Sequence, residues 1–385
     1  MNWQQPDYRR GNLVNLMSSL ITGSGGSSLY PPLDQLQPHH VEAKDQVVLF
    51  VVDGLGFEFI DQHPDSFLRA HTQCTLNSVF PSTTASAITT FMSGLAPRQH
   101  GLTGWFTYLA ALGTVTAVLP FQPRCGGNFA RPAAQAREIF DWVPLYDTLK
   151  RKCYLVLPEN ISDSVYSMTL GGSAQRMGYD NLENMFEHVT HILSNTSERS
   201  FTYIYWPMFD MLSHQFGVYS DRVARHYTEL DRAFANFAAT IDPSSTLVLA
   251  TADHGLIDTA AERTIFTKDH PELAATLLLP LCGEPRVAYC YIRHGAEKKF
   301  LDYVEGCLNQ ACVVKRSSEL IATDYFGEGM KHPDLHRRVG DYVLLMKDNY
   351  VLKDRLFGET PFAHVGVHGG LTSAEMTVPL VNIAS

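Results

Sequence analysis

Three apolar, β-branched runs that each end in a carboxylate constrain this chain more than any other feature. They are QVVLFVVDGLG (46–56), FTYIYWPMFD (201–210) and STLVLATADHG (245–255). Runs this apolar, without polar alternation, belong to strands covered on both faces, and so to a mostly parallel sheet. Helical patterns lie between them, over 85–95, 142–150, 182–195 and 220–241. Alternating strand and helix predicts an α/β sandwich. In open α/β sheets, sites form beyond the carboxyl ends of the strands. Asp53, Asp210, Asp253 and His254 fall at such ends.

Residues 285–355 have a different grammar. Strand-like RVAYCYIR and DYVLLMKD flank a helical stretch at 295–310, which predicts a smaller α+β insertion within a single domain spanning 1–385. With 385 residues and 45% hydrophobic content, the chain can bury one large core. A net charge of −10 argues against a general binder of nucleic acid or of membrane surfaces. No run approaches the ~18 apolar residues of a membrane span. The N-terminal stretch lacks a long apolar core and a cleavage pattern, so no signal peptide is expected. The seven cysteines include no CxxC pair, which suits reduced thiols in a cytoplasmic protein. GSGGSS (23–28) reads as a flexible break, and the loop is expected to run on through His39 and His40.

The polar residues at the strand ends form a chemical set. Asp210 and His214 are four apart, so a helix would project both from one face. Asp253 and His254 are adjacent, and His368 sits between glycines in GVHGG. Three Asp and three His make a mixed N/O donor set that suits zinc, with manganese possible. Six ligands exceed what one tetrahedral ion needs and are about right for two. Each feature alone also has an ordinary explanation as a cap, a turn or a local hydrogen bond. Their joint placement on converging elements points to metal and phosphate chemistry. The stretch NSVFPSTTASAITTFMSGLAPRQHG (77–101) adds crowded hydroxyls where a helix begins. They serve either as N-caps or as a nucleophile set where phosphate binds.

The segments VVDGLG, VFPSTTAS, SGLAPRQHG, YWPMFDMLSHQFG, ATADHG and GVHGG together resemble the alkaline phosphatase superfamily. Within it they resemble the type I phosphodiesterase/nucleotide pyrophosphatase family, over nearly the whole chain. The resemblance implies an alkaline-phosphatase-like three-layer sandwich and two divalent ions, Zn²⁺ or else Mn²⁺. It implies one ion held by Asp210, His214 and His368, and another held by Asp53, Asp253, His254 and the Thr84 oxygen. Thr84 falls on the family's nucleophile, in Pro81-Ser82-Thr83-Thr84, with Ser82 and Thr83 capping and shaping the turn. The implied activity is hydrolysis of phosphodiester or pyrophosphate bonds in a nucleotide or nucleotide-linked small molecule, through a phospho-threonine.

The chain also departs from that pattern. The Asn expected three residues after the nucleophile is Ala87, and the aromatic that follows the nucleophile is Ala85. Trp105, Phe106 and Phe57 are expected in the core, though each could stack on a substrate. None of Arg98, Arg124 and Arg131 stands out as a monoester clamp. STTAS lacks the Cys/Ser-x-Pro-x-Arg signature of sulfatases. GGLTSAEMTVPL resembles the phosphoglycerate mutase and PglZ-like branches, which keeps a phosphomonoesterase or phosphomutase as the alternative. A metal-binding interaction protein without catalysis is a further alternative, against which the intact ligand set speaks. His100 is expected to be structural, and KHPDLHRR (331–338) to be solvated surface.

Overall fold

A computed structural model describes residues 3–359 and 363–383. Its main sheet has seven strands. From edge to edge they are β2 (Thr72–Asn77), β18 (Thr377–Asn382), β9 (Thr246–Thr251), β1 (Gln46–Val52), β8 (Ser200–Trp206), β6 (Lys152–Pro158) and β7 (Gln175–Tyr179). The five strands from β9 to β7 are parallel, and β18 runs antiparallel to both its neighbours. The three carboxylate-ending runs are the adjacent strands β9, β1 and β8. Gln46 pairs with both Ser200 and Thr246, so these strands end nearly level. That register is what gathers their terminal polar residues.

Both faces of the sheet are covered, as the apolar runs require. Phe50 of β1 meets Phe186 on the helix Leu182–Asn195 and Phe234 and Phe237 on the helix Asp221–Ala238. On a second helix layer, Phe91 of Thr84–Ser93 packs near Tyr203 of β8. Phe50, Phe91 and Phe234 are fully buried, each contributing about 1.5–3 kcal/mol.

A second, antiparallel sheet lies beside the first. Its order is β14 (Cys312–Arg316), β15 (Tyr342–Met346), β13 (Val287–Cys290), β12 (Cys282–Glu284), β3 (Phe106–Leu109), β4 (Thr114–Ala117) and β5 (Gln122–Pro123). The strands from 106–123 thus join those of the 285–355 region, a pairing no local pattern announces. Two short ribbons complete the strands. They pair β10 (Ile257–Asp258) with β17 (Gly366–Val367), and β11 (Thr264–Phe266) with β16 (Val351–Lys353).

Three local expectations change. The stretch 142–150 is not an α-helix. Only a single 3₁₀ turn, Leu145–Asp147, forms there, with Pro144 before it, and a proline disfavours helical backbone at the residue it follows, here Val143. His39 and His40 lie in a short helix, Pro38–Glu42, with proline at its first position. The basic segment 331–338 is only partly solvated. Arg338 is buried and donates to the Gly101 carbonyl at 3.2 Å, and His332 is buried beside it. His100 is buried, and its Nδ1 accepts from Leu102 N. No helix among the described residues is long and apolar enough to cross a membrane.

Candidate active site

Asp53 is the first residue past β1, and its own backbone N–H still bonds to Trp206 O. Asp253 lies past β9, fully buried. Its Oδ1 accepts from Gly54 N at 3.0 Å and from His254 N at 2.9 Å. Gly54 has φ +76°, and an added Cβ there would press on Leu256 and Asp210, so glycine is what lets the two turns touch. Asp210 and His214 lie on the helix Met208–Phe216, one turn apart, with His214 Nε2 3.2 Å from Asp210 Oδ2. His368 comes from the turn after β17 and stacks on His254 with ring centroids 3.8 Å apart.

The three histidines share one orientation rule. Nδ1 of His214 bonds to Gly366 O at 2.6 Å, that of His254 to Gly255 O at 3.1 Å, and that of His368 to Ser82 O at 3.3 Å. A carbonyl only accepts, so each Nδ1 carries the proton and each Nε2 presents a lone pair. Those Nε2 atoms face the carboxylates. His254 Nε2 lies 3.4 Å from both Asp53 Oδ1 and Asp253 Oδ2, and His368 Nε2 lies 3.9 Å from Asp210 Oδ1. Backbone-oriented imidazoles with free Nε2 atoms are the usual arrangement around metal ions.

The carboxylates fit the same role. Among the described residues, the buried carboxylate oxygens lacking any hydrogen bond are Asp53 Oδ1, Asp210 Oδ1 and Asp253 Oδ2. All three belong to this cluster. Burial and the neighbouring carboxylates hold the Asp53 carboxyl well above the usual range, and burial likewise raises Asp253. Buried carboxylates without a counter-cation are costly, and a divalent ion removes that cost. Two groups bring one ligand atom per residue within 4.8 Å of each other: Asp53, Asp253 and His254, and Asp210, His254 and His368. His254 therefore faces both groups. His214 adjoins the second through Asp210, its ring 5.1 Å from that of His368.

Thr84 is the first residue of the helix Thr84–Ser93, and its Oγ1 lies 3.1 Å from His254 Nε2. The other hydroxyls of the loop do not cap the helix. Ser82 Oγ donates to Gly370 O at 2.7 Å, and Thr83 Oγ1 donates to Glu284 at 2.6 Å. They shape the turn by tying it to the His368 loop and to β12. Ala85 and Ala87 are buried in the helix, and Asn77 turns away to bond Gln4.

A cavity of about 1850 Å³ opens over these residues. Trp105 and Phe106 line it, and Trp105 is exposed, so neither is simply core. Phe57 instead lies under the Arg69 guanidinium. Arg124 lines the cavity but is held by Asp354 and Glu359, and Arg98 is tied to the Ile321 carbonyl and Asp324.

Several site residues carried no sequence signal. The Tyr205 hydroxyl bonds Asp53 Oδ2, yet Tyr205 reads as one more aromatic of a buried strand. Glu284 is buried against the cavity, accepting from Thr83 and from Trp105 N at 2.6 Å, and burial pushes its carboxyl up to about 7. His364 stacks on His214 with centroids 4.1 Å apart. Their partners are remote in sequence, so no local pattern singles them out.

The profile of the Type I phosphodiesterase/nucleotide pyrophosphatase family matches residues 47–371. The chain belongs to this family of phosphoric ester hydrolases. No curated protein sequence gives a significant match. Among solved structures, an inactive murine ectonucleotide pyrophosphatase/phosphodiesterase 5 in complex with AMP superposes with a TM-score of 0.65 at 15% identity, covering 87% of each chain. The human protein of that name gives 0.64 at 13% identity with the same coverage. Phosphonoacetate hydrolase from Sinorhizobium meliloti 1021, in complex with phosphonoformate, gives 0.58 at 15% identity, covering 87% of this chain and 89% of that one. At these identities the likeness establishes the alkaline-phosphatase-like fold.

Proposed function

We propose that the protein hydrolyses phosphodiester or pyrophosphate bonds in a nucleotide-like small molecule, with Thr84 as nucleophile. The observation that carries this is the meeting of Thr84 Oγ1 with a cluster of orphaned carboxylate oxygens and inward-facing imidazole Nε2 atoms. Asp53, Asp253, His254 and Thr84 would hold one divalent ion, and Asp210, His214 and His368 the other. Zinc suits this N/O set, with manganese second. Such ions lower the pKa of a coordinated hydroxyl and offset charge on a phosphoryl group.

The chain's own residues supply the rest. Thr84 Oγ1 attacks phosphorus in line and the departing alcohol or phosphate leaves, forming a phospho-threonine that water then cleaves. The N-terminus of the ten-residue helix that Thr84 begins directs backbone N–H groups toward the phosphoryl oxygens. Ser82, Thr83 and the three Nδ1–H donors fix the geometry in advance. The neighbours' ligands, AMP and phosphonoformate, support a small phosphate or phosphonate substrate. The seven free cysteines support a reducing, cytoplasmic setting.

Metal-stripped protein is to be assayed on bis(p-nitrophenyl) phosphate, p-nitrophenyl thymidine monophosphate and p-nitrophenyl phosphate, with and without Zn²⁺ or Mn²⁺. Metal-restored turnover of the diesters is expected. Preference for the monoester would move the protein to the phosphatase or mutase alternative.

A further inference from the structure

The first described residues of the chain run along the back of the active site. They precede the region that the family profile covers, which begins at residue 47. Trp3 makes an isolated antiparallel bridge to Thr372, and Gln4 N donates to Leu371 O at 2.7 Å. Both partners lie in the turn that follows His368. Gln4 Oε1 accepts from Thr377 Oγ1 at 2.9 Å and from Asn77 Nδ2 at 3.4 Å. One side chain thus joins the start of the last strand to the stretch that leads to Thr84.

Where that stretch leaves β2, its backbone groups need partners outside the ladder. Asn77 N donates to Gly11 O at 2.7 Å, the Ser78 carbonyl accepts from Asn12 Nδ2 at 3.0 Å, and Phe80 N donates to the Tyr8 hydroxyl at 3.0 Å. All three partners come from residues 8–12. Gly11 takes φ +73°, a turn that a side chain would resist. Tyr8 and Asn12 are buried. Asn12 also caps the helix Leu13–Gly23, its Oδ1 accepting from Val14 N at 3.1 Å. Of that helix only Thr22 is exposed, and Ile21 lies where a Cβ on Gly94, at the end of the nucleophile helix, would fall.

Two relays run from this segment to the reacting groups. Asn12 holds the Ser78 carbonyl, and the Ser78 hydroxyl donates to the backbone carbonyl of Asp253 in the ligand cluster. Tyr8 holds the Phe80 N–H, four residues ahead of Thr84. A segment that only covered the core would present apolar side chains, because buried polar groups are costly unless they are bonded. Here the buried polar groups are bonded to the backbone of the nucleophile loop.

We propose that Asn12 and Tyr8 are positioning residues of the active site, Asn12 placing Asp253 through Ser78 and Tyr8 placing Thr84 through Phe80. This rests on the hydrolase reading above and adds residues that the reading does not include.

Three variants of the full chain test the assignment. Tyr8→Phe deletes one oxygen. Asn12→Ser keeps a capping oxygen for the helix and withdraws the amide from Ser78. Ser18→Ala is the control, removing a buried hydroxyl of the same helix that donates to Tyr30 O. Each is assayed on bis(p-nitrophenyl) phosphate under conditions where urea unfolding shows it folded. Zinc affinity is read by calorimetry, and the visible bands of cobalt-loaded protein report ligand geometry. Asn12→Ser should weaken zinc binding about tenfold and shift the cobalt bands. Tyr8→Phe should lower kcat about tenfold, with KM and zinc affinity within about twofold of wild type. It carries the test by itself where Asn12→Ser does not fold. Ser18→Ala should match wild type throughout. Wild-type kcat and zinc affinity in every variant that folds, or an equal loss in Ser18→Ala, overturns the proposal alone. A wild type that neither binds zinc nor shows metal-dependent cleavage overturns the hydrolase reading and this proposal with it.

Discussion

At the scale of single residues, the site depends on atoms whose partners are backbone groups. Thr84→Ala removes one oxygen and leaves the three oriented imidazoles in place. Its expected result is a fall in kcat of about a thousandfold or more, with zinc binding retained by calorimetry. Turnover at the wild-type rate would exclude Thr84 as nucleophile. Glu284 gives a pH signature. In the metal-free folded protein it keeps its proton up to about pH 7, whereas the unfolded chain releases it near the usual carboxylate value. Between those pH values the folded state binds more protons, so stability falls as pH rises. Glu284→Gln keeps an oxygen for Thr83 and Trp105 and removes the titration. It should stabilise metal-free protein at pH 8 by about 1–3 kcal/mol and flatten the profile, read by urea unfolding.

At the scale of elements, the β12–β13 hairpin braces the site from behind. Glu284 holds the nucleophile turn through Thr83. Two residues on, Arg286 makes a fully buried, two-pronged pair with Glu375 at 3.0 and 2.9 Å and donates to Tyr350 O. Glu375 in turn accepts from Gly370 N, fixing the turn that carries His368. Removing one member strands a buried charge, so Arg286→Met should cost about 3–5 kcal/mol in denaturant unfolding. It should also weaken zinc binding, because the His368 loop loses its anchor. Arg286→Lys should rescue little, since an ammonium cannot reproduce the fork. A destabilised variant with unchanged zinc affinity would show that the brace serves the fold alone.

At the scale of the whole molecule, the cluster holds three carboxylates that each have a buried oxygen without a hydrogen-bond partner. An ion that binds only the folded chain stabilises it by mass action, about 2.7 kcal/mol at a hundred times its Kd. Chelation should therefore lower Tm by several degrees, and added Zn²⁺ should restore it in a concentration-dependent way. A Tm indifferent to chelator and metal would remove the basis for two-metal chemistry.

The composition of β1, β8 and β9 alone determined that the core is a mostly parallel sheet. Strands covered on both faces must be apolar throughout, and sites must then lie at their ends. For the same reason Asp53, Asp210, Asp253 and His254 stood out as candidates: polar residues at the ends of such runs have no part in the core. His214 stood out by its spacing from Asp210, and His368 by the glycines around it. What covers those residues was decided only by the tertiary structure. Tyr205, Glu284 and the Arg286–Glu375 pair meet partners as many as 201 residues away. Strand periodicity records which face a side chain takes but not what waits across it. The joining of 106–123 with 282–346 in one sheet was hidden likewise, because antiparallel pairing across so long a separation leaves no local trace.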